Sequence, residues 1–478
     1  MTKVLLLDSP SWRLFNPRLH CHLGILYLAG SLRAAGHDVK VLDCHRVTTW
    51  DGKNLGIRKE LLEPCDVLGL SATTANVKWG QELAAAWPAK IKVLGGTHVT
   101  HIMEGPHERF KQRKYFEPFD FVMYGECEES FVEFVSVCGR GDSPKTSFIP
   151  GLVWWDDFGT HKIPTGPLPD VTRIAGPAFD LWEAGFEKGA LSSTSAKGKE
   201  LDASNLMTAS LYTARGCPYG CTFCADARTK LREETIGQIE KEVATLSALG
   251  VQAIRIQDDT FTIREERCRQ ISDVLHSYGM RWRACTRVNL RNPDLFRYMA
   301  DRGCTELGFG IEHGSRRMLK AMNKGTTPEA NEIGVKMCQD AGMFARAFLM
   351  IGFPGETEES IQELEEWILR VRPSAVTLSL FQPFPGSDVW NHPERYSVGI
   401  QEDDFEKFWQ LGGDDDEKMM VLELPTISRS RLFFHRQRLI RLFEEEIGKL
   451  DRTQVHGNIG TFGPAVLDLG LQGEGCAV

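Results

Sequence analysis

Apolar segments of strand length alternate with amphipathic segments of helix length in two separate runs, and this alternation restricts the fold more than any other feature. Over residues 1–140 it predicts a parallel sheet with helices on both faces, that is, a doubly wound Rossmann-like α/β domain. Ligands of such sheets bind at the carboxyl ends of the strands. The predicted strands are Lys3–Asp8, Asp38–Leu42, Val67–Ser71, Lys92–Gly95 and Phe121–Tyr124, and the predicted helices are Gly24–Ala35, Val77–Ala86 and Glu128–Cys138.

The second run covers residues 206–390, and its strand–helix units are too few for a closed eightfold barrel. It therefore predicts a smaller, open α/β barrel. The predicted strands are Met207–Ala214, Ala253–Gln257, Arg281–Arg287, Glu306–Ile311, Phe344–Ile351 and Ala375–Gln382, and the predicted helices are Ile236–Leu249, Glu265–Tyr278, Asp294–Arg302, Pro328–Ala341 and Glu358–Arg370.

Two further segments complete the predicted organisation. Residues 141–205 are predicted to be a connector with a hairpin, Ile149–Trp155 and Thr160–Ile163, and a polar loop at Ala190–Ser204. Residues 391–478 are predicted to be a small C-terminal region that contains a basic amphipathic helix, Arg429–Lys449. The basic residues of that helix are interpreted as a solvated face, because charge runs usually have this role.

Composition excludes several classes of protein. A chain of 478 residues suggests two or three domains, and its net charge of −9 disfavours general binding to nucleic acids. No apolar run has the length of a signal peptide core or a membrane span. We therefore expect a cytoplasmic protein without membrane association, in which the 13 cysteines are reduced thiols.

Three of these cysteines form a cluster with the spacing C-x3-C-x2-C directly after the first strand of the second run. They are Cys217, Cys221 and Cys224, in the segment Arg215-Gly216-Cys217-Pro218-Tyr219-Gly220-Cys221-Thr222-Phe223-Cys224. Three thiolates on one short loop can bind three irons of a [4Fe–4S] cluster and leave the fourth iron open. A structural zinc site is the alternative, but such a site closes its shell with four protein ligands, and no fourth Cys or His is nearby in the sequence.

The cysteine motif resembles the signature of the radical S-adenosylmethionine (SAM) superfamily. The resemblance implies a partial (β/α)6 barrel, a [4Fe–4S] cluster whose open iron chelates SAM, and reductive cleavage of SAM to a 5′-deoxyadenosyl radical. It also implies an electron donor such as flavodoxin or ferredoxin. By the same resemblance, motifs at successive strand ends line the SAM pocket, and the residues assigned to it are Phe223, Asp258, Asp259, Arg287, Glu312 and Gly352.

The loops of the first domain resemble those of the cobalamin-binding domain in B12-dependent radical SAM enzymes. Small and hydroxyl residues at strand ends suit the phosphate and ribose of a nucleotide tail. The resemblance assigns cobalamin binding to Ser71, Thr73, Gly95, Gly96, His98, Gly125 and Glu126. A doubly wound domain for another nucleotide is the alternative.

A histidine ligand to cobalt is not predicted. The loop after the first strand, Asp8–Trp12, lacks the Asp-x-His-x-x-Gly motif of B12 proteins that ligate cobalt through histidine. Asp43-Cys44-His45 begins similarly, but it follows the second strand and lacks the glycine. We interpret that match as coincidental.

Together the two resemblances imply a cobalamin-dependent radical SAM enzyme that methylates an unactivated carbon, or phosphorus, of a small-molecule substrate. In that family one SAM supplies the methyl group to cobalamin and a second SAM supplies the radical. Rearrangement, ring contraction, cyclisation or oxidation are the alternatives within the family. A tRNA methylthiotransferase would carry three further cluster cysteines in its N-terminal domain, and a cobalamin sensor would not need the cysteine motif.

Overall fold

The structure is a computed structural model that describes residues 2–12, 22–51, 54–182, 185–186, 188, 205–400, 402–408 and 420–446. The predicted polar loop Ala190–Ser204 and the end of the predicted helix Arg429–Lys449 lie outside these residues. Among the described residues, no helix combines the length and apolarity needed to cross a membrane.

The first sheet has, in the described part of the chain, seven strands in the order β2-β1-β5-β6-β7-β8-β9. The strands of the first half of the chain are β1 (Lys3–Asp8), β2 (Asp38–Leu42), β3 (Thr48–Trp50), β4 (Leu55–Ile57), β5 (Cys65–Ser71), β6 (Ala89–Gly95), β7 (Phe121–Met123), β8 (Leu152–Asp156) and β9 (Gly159–Lys162). The pairs from β2 to β7 are parallel, and β8 and β9 add an antiparallel edge.

Strand order reverses between β1 and β5, because the chain moves outward to β2 on one side and to β6 and β7 on the other. Ligands of open α/β sheets bind in the crevice at such a switch point, outside the carboxyl ends of the strands. The register pairs Asp8 with Ser71 at this crevice. The doubly wound fold predicted from the alternation is thus present, and the predicted hairpin is part of its sheet.

The second sheet has six described strands in sequential order, β10-β13-β14-β15-β16-β17, and all its pairs are parallel. Sequential parallel order with intervening helices is the arrangement of a partial barrel. The strands of the second half of the chain are β10 (Thr208–Leu211), β11 (Ala214–Arg215), β12 (Arg232–Glu233), β13 (Ala253–Ile256), β14 (Arg281–Thr286), β15 (Cys304–Glu312), β16 (Phe344–Ile351) and β17 (Ala375–Leu380).

The helices cover the two sheets and connect their strands. They are α1 (Leu23–Ala34), α2 (Cys44–Val47), α3 (Val77–Ala86), α4 (Thr97–Glu104), α5 (Glu128–Gly139), α6 (Ile236–Ala248), α7 (Glu265–Ser277), α8 (Pro293–Asp301), α9 (Arg316–Ala321), α10 (Pro328–Asp340), α11 (Glu358–Val371), α12 (Asp388–Asn391) and α13 (Arg429–Glu446). Side-chain caps fix several starts: Thr235 and Gln238 form a capping box at α6, and the Thr357 hydroxyl accepts from Ser360 N at α11.

The two sheets share their apolar core. One buried cluster contains Leu5 and Leu7 of β1 together with Met350 and Phe353, which lie at the end of β16. Trp390 of α12 packs against Phe110, with ring centroids 5.3 Å apart. The carboxyl edges of both sheets are therefore held at a common interface by apolar packing.

Candidate active site between the two sheets

The cysteine loop projects from a short antiparallel ribbon in which Ala214 pairs with Glu233 and Arg215 with Arg232. Gly216 begins the loop with φ of +90°, and a Cβ at this position would collide with the carbonyl oxygen of Lys230. Glycine is therefore required at the base of the loop for both conformation and space.

The three cysteines are free thiols, of which Cys221 is buried and Cys217 and Cys224 are half-buried. Burial, reinforced by the charge of Asp226, raises the pKa of Cys224 to about 12. The Arg287 guanidinium donates to Cys221 Sγ over 2.9 Å, so a cation faces the loop. Thiols in such surroundings become thiolates when a metal takes the place of the proton.

The spacing of the three sulfurs argues against a single zinc ion. A tetrahedral zinc with Zn–S bonds of 2.3 Å would bring its sulfurs to about 3.8 Å from one another. Among the described residues, the ligand atoms that gather within 4.8 Å belong to Asp43, Cys44 and His45 and not to the cysteine loop. At least two of the three sulfurs therefore lie more than 4.8 Å apart, farther than one zinc ion would bring them.

Glu312 lies at the end of β15, where a register shift against β16 follows Gly310 and the backbone of Glu312 has φ of +65°. Its carboxylate accepts from Lys324 Nζ over 2.7 Å, and the Lys324 ammonium is 5.6 Å from the centroid of the Phe223 ring. The Arg287 guanidinium also donates to the Lys324 carbonyl. The structure thus brings Phe223, Arg287 and Glu312 together beside the cysteine loop.

The two aspartates that follow β13 have different surroundings. Asp258 is buried and accepts hydrogen bonds from Thr213 N at 2.7 Å, from Ala214 N at 3.0 Å and from the Thr213 hydroxyl, so it holds the segment that enters the loop. Burial raises its pKa. Asp259 lies at the loop, where partial desolvation of its carboxyl group and the charge of Asp226 raise its pKa to about 6.

Gly352 has different neighbours from the other predicted SAM residues. Its φ is +86°, its N–H donates to Glu356 Oε2, and a Cβ there would meet Leu432 and Met420 of the C-terminal region. His313 is fully buried beside Glu356, with its Nδ1 accepting from Ser315 N over 2.9 Å. These contacts hold the His313 ring in the protein core, with Nε2 3.4 Å from Glu356 Oε1.

The predicted cobalamin residues lie at the carboxyl edge of the first sheet, where Ser71 is in register with Gly95. Gly96 has φ of +100°, and a Cβ there would lie 2.5 Å from the Ala72 carbonyl oxygen and 2.8 Å from Ser71 Oγ. Backbone therefore packs directly on backbone beside the switch point. The Thr73 hydroxyl lies next to these residues and donates to Asn76 Oδ1 over 3.0 Å.

The remaining predicted cobalamin residues face inward or across the interface. His98 is buried against Phe405 and Thr74, and burial lowers its pKa to about 3, so its ring is neutral. Gly125 N donates to the Thr100 hydroxyl over 3.0 Å. The Glu126 carboxylate forms ion pairs with the two ribbon arginines, Arg215 and Arg232.

Several site residues were not predicted from the sequence, namely Arg215, Arg232, Glu128 and Lys324. The position of Arg215 one residue before the Gly-Cys pair was a usable signal, whereas Lys324 had none in its own segment. The Asp43–His45 group is compact, with His45 Nδ1 3.0 Å from Asp43 Oδ1, but His45 Nε2 accepts from Ser11 N. The interpretation that it does not ligate cobalt stays a prediction.

Comparison with known families agrees with both halves of the site. The model of the B12 binding domain matches residues 18–135, and the model of the radical SAM superfamily matches residues 211–368. This chain belongs to the cobalamin-dependent radical SAM enzymes. Its cofactors are accordingly SAM with a [4Fe–4S] cluster, and cobalamin.

Similar curated proteins include an uncharacterised methyltransferase of Pyrococcus horikoshii, 29% identical over 77% of this chain and 78% of that protein. The cytidylyl-2-hydroxyethylphosphonate methyltransferase of Streptomyces wedmorensis is 28% identical over 76% of each chain. An anaerobic magnesium-protoporphyrin IX monomethyl ester cyclase of Cereibacter sphaeroides is 24% identical over 76% of this chain and 58% of that protein.

Among solved structures, the radical SAM methyltransferase TsrM from Kitasatospora setae, with cobalamin and a [4Fe–4S] cluster bound, superposes with a TM-score of 0.68. The match covers 94% of this chain and 92% of that chain at 17% identity. The predicted fold class, a Rossmann-like domain followed by a partial barrel, is confirmed. The domain boundaries at residues 140, 205 and 390 stay predictions.

Proposed function

We propose that this enzyme is a cobalamin-dependent radical SAM methyltransferase that methylates an unactivated carbon, or a phosphorus, of a small-molecule substrate. The observation that carries the proposal is the meeting of the cysteine loop with the predicted cobalamin-binding edge at one interface. Arg215, two residues before Cys217, bonds to Glu126, which directly follows Gly125. Several of the similar curated proteins are also named as methyltransferases.

The proposed roles of the residues follow from their chemistry. Cys217, Cys221 and Cys224 would hold the cluster, because they are the thiol donors of the loop. Glu312 would accept from the ammonium or ribose hydroxyls of SAM, and Phe223 would pack on its adenine. When bound, the cluster with SAM supplies a carbon-centred radical and cobalamin supplies the methyl group.

The remaining residues would shape the two cofactor pockets. Ser71, Thr73, Gly95, Gly96 and Gly125 would line the nucleotide tail of cobalamin at the switch point, where little side-chain bulk stands between ligand and backbone. His98 would support this edge by packing and not by a charge, because its ring is neutral and buried against Phe405. Asp258 would hold the segment that follows the first strand of the barrel. Asp259, Arg287 and Gly352 would line the SAM pocket.

The experiment that tests the proposal is product analysis with isotopically labelled SAM. Protein reconstituted anaerobically, with titanium citrate in place of the proposed flavodoxin or ferredoxin donor, is incubated with [methyl-¹³C]SAM and a panel of small molecules. The panel starts with cytidylyl-2-hydroxyethylphosphonate and tryptophan, which the names of similar proteins contain. We expect a product that gains one labelled methyl group, with 5′-deoxyadenosine and S-adenosylhomocysteine in about equal amounts.

Reaction without net methyl transfer is the second candidate, because one similar protein is a cyclase. In that case the substrate would be consumed with formation of 5′-deoxyadenosine, but neither S-adenosylhomocysteine nor a labelled product would appear. This outcome would contradict the methyltransferase proposal and leave the family assignment unchanged.

A further inference from the structure

The ribbon at the base of the cysteine loop places two positive charges directly opposite each other. Arg215 of β11 and Arg232 of β12 are cross-strand partners. Both side chains are largely buried, with 14% and 11% exposed. Like charges opposite each other destabilise a strand pair, and burial increases their repulsion. The ribbon is stable in this form only if an anion lies between the two arginines.

The first domain supplies that anion from the segment after β7. Arg215 donates to Glu126 Oε2 over 2.8 Å, and Arg232 donates to the same oxygen over 3.0 Å and to Glu126 Oε1. Arg215 also donates to Glu128 Oε1 over 2.6 Å. Glu126 directly follows Gly125, so the carboxylates come from the predicted cobalamin-binding edge.

The opposite charges of the clamp outweigh the effect of burial on the pKa of Arg215 and on the pKa of Glu126. Burial acts to lower the pKa of Arg215, but Glu128 and Glu126 outweigh it and the pKa is raised. Burial acts to raise the pKa of Glu126, but Arg232 and Arg215 outweigh it and the pKa is lowered. The Arg215 guanidinium also lies 4.7 Å from the centroid of the Tyr27 ring of α1, a second contact with the first domain.

We infer that Arg215, Arg232, Glu126 and Glu128 form an interdomain clamp that positions the cysteine loop relative to the cobalamin-binding edge. The inference rests on the proposed function for what is positioned. The clamp acts at the neck of the loop, because only Gly216 separates Arg215 from Cys217 and its backbone packs against the Lys230 carbonyl. A displacement of about 1 Å between reacting groups can lower a rate by about 100-fold, so the clamp residues are positioning residues.

The test measures geometry rather than turnover, because the substrate is unidentified. The protein is loaded with cob(II)alamin, its cluster is reduced, and the distance between the two paramagnetic centres is measured by pulsed electron paramagnetic resonance. We expect one narrow distance in the wild type and a distribution about twice as broad, or a shifted distance, in Arg215→Gln and Glu128→Gln. Arg215→Lys keeps the positive charge, so its distance distribution should stay nearly as narrow as that of the wild type.

Two controls separate positioning from general damage. Formation of 5′-deoxyadenosine from SAM with dithionite, which needs only the barrel and its cluster, should stay within about threefold of the wild type in Glu128→Gln. Arg269→Gln makes the same substitution at another ion pair. It removes the contact with Glu265 inside α7, away from the interface. It should leave the distance distribution unchanged.

Hydrogen–deuterium exchange of the full chain without cofactors gives an independent readout. In Arg215→Gln, amides of residues 122–128 and 213–217 should exchange several-fold faster, while β16 stays protected. The double variant Arg215→Gln/Glu128→Gln should resemble Arg215→Gln, because that variant alone already removes the contact between Arg215 and Glu128. An unchanged distance distribution and unchanged exchange at both segments would overturn the clamp. A failed search for methylated product would instead concern the proposed function alone.

Discussion

The cysteine loop shows at the level of single residues why a metal cluster belongs here. The pKa of Cys224 is raised to about 12, chiefly by burial, so a proton leaves this thiol only if another positive centre replaces it. The Arg287 guanidinium donates to Cys221 Sγ over 2.9 Å, so a cation already contacts the loop at a second sulfur. An iron–sulfur cluster can bind both sulfurs, because its iron ions supply the positive charge that replaces the thiol protons.

Replacement of Cys217, Cys221 and Cys224 together by Ala should abolish cluster binding, because the loop loses its thiolate donors. We expect about four irons and four sulfides per chain in the reconstituted wild type and fewer than about one iron in the triple variant. Iron analysis and the visible absorption of the cluster measure the change. Cys138→Ala, in α5, is the control and should retain the cluster; full iron content in the triple variant would contradict the ligand assignment.

Lys324 marks the limit of residue-level prediction at this site. The position of Phe223, Arg287 and Glu312 near strand ends was predictable from the order of strands and motifs, whereas their contact with SAM stays a prediction. Lys324 lies in the segment after α9 and reaches Glu312 only because that segment folds over the loop, where Asn323 donates to the Gly220 carbonyl. Such a contact depends on tertiary packing that local sequence does not encode.

At the scale of elements, buried parallel strands were the most predictable parts of the chain. β1, β2, α3 and β16 have the predicted bounds. The three strands consist mostly of apolar residues, and the buried residues of α3 recur at helical spacing. The hairpin β3–β4 and helix α4 were not predicted. The hairpin is short, and α4 begins after Gly96 without a side-chain cap, so neither has a strong local signal.

The Gly96 turn between β6 and α4 allows a matched comparison of two glycines with positive φ. Gly96→Ala should weaken cobalamin binding at least ~10-fold, because its Cβ would lie 2.5 Å from the Ala72 carbonyl oxygen and displace the predicted binding edge. Gly36→Ala has φ of +84° but open space around its Cβ. It should cost about 1 kcal/mol of stability and leave cobalamin affinity unchanged.

Titration of the apoprotein with hydroxocobalamin, followed by absorbance, measures both affinities. Equal affinities in Gly96→Ala and Gly36→Ala would mean that the Ser71–Gly96 edge does not contact the cofactor. Thermal unfolding of both variants checks that each remains folded at the assay temperature.

For the whole molecule, the two domains were predictable from the sequence, but their contacts were not. Arg215 and Glu126 of the clamp are 89 positions apart in the sequence. Tyr27 and Glu234, which form a hydrogen bond, are 207 positions apart. Neither pair carries a periodicity or a motif that connects its members. The contacts across the interface can therefore be identified only when the relative position of the two sheets is known. The loop motif around Glu126 does not reveal its contacts with the ribbon arginines.

The interface also contains two buried carboxyl groups whose titration makes stability depend on pH. Glu242 of α6 is buried, and burial together with the charge of Glu234 raises its pKa from 4.5 to about 9. Burial likewise raises the pKa of Glu234, which accepts from the Tyr27 hydroxyl over 2.7 Å. The folded protein thus keeps protons that the unfolded chain releases above pH 4.5, and the free energy of unfolding falls as pH rises toward 9.

Glu242→Gln should prevent most of this decrease in the free energy of unfolding at high pH. The neutral amide has nearly the same shape as the protonated carboxyl group and does not titrate. We expect equal stability of variant and wild type near pH 4.5 and a gain of about 2 kcal/mol in the variant near pH 8.5, since one pKa unit corresponds to about 1.4 kcal/mol and Glu234 takes part of the shift. Urea unfolding of the apoprotein at several pH values measures the difference. Glu240→Gln, exposed on the same helix, is the control and should show no such trend. A Glu242→Gln variant that is less stable than the wild type at pH 8.5 would show that this carboxyl group is ionised and stabilising in the folded protein.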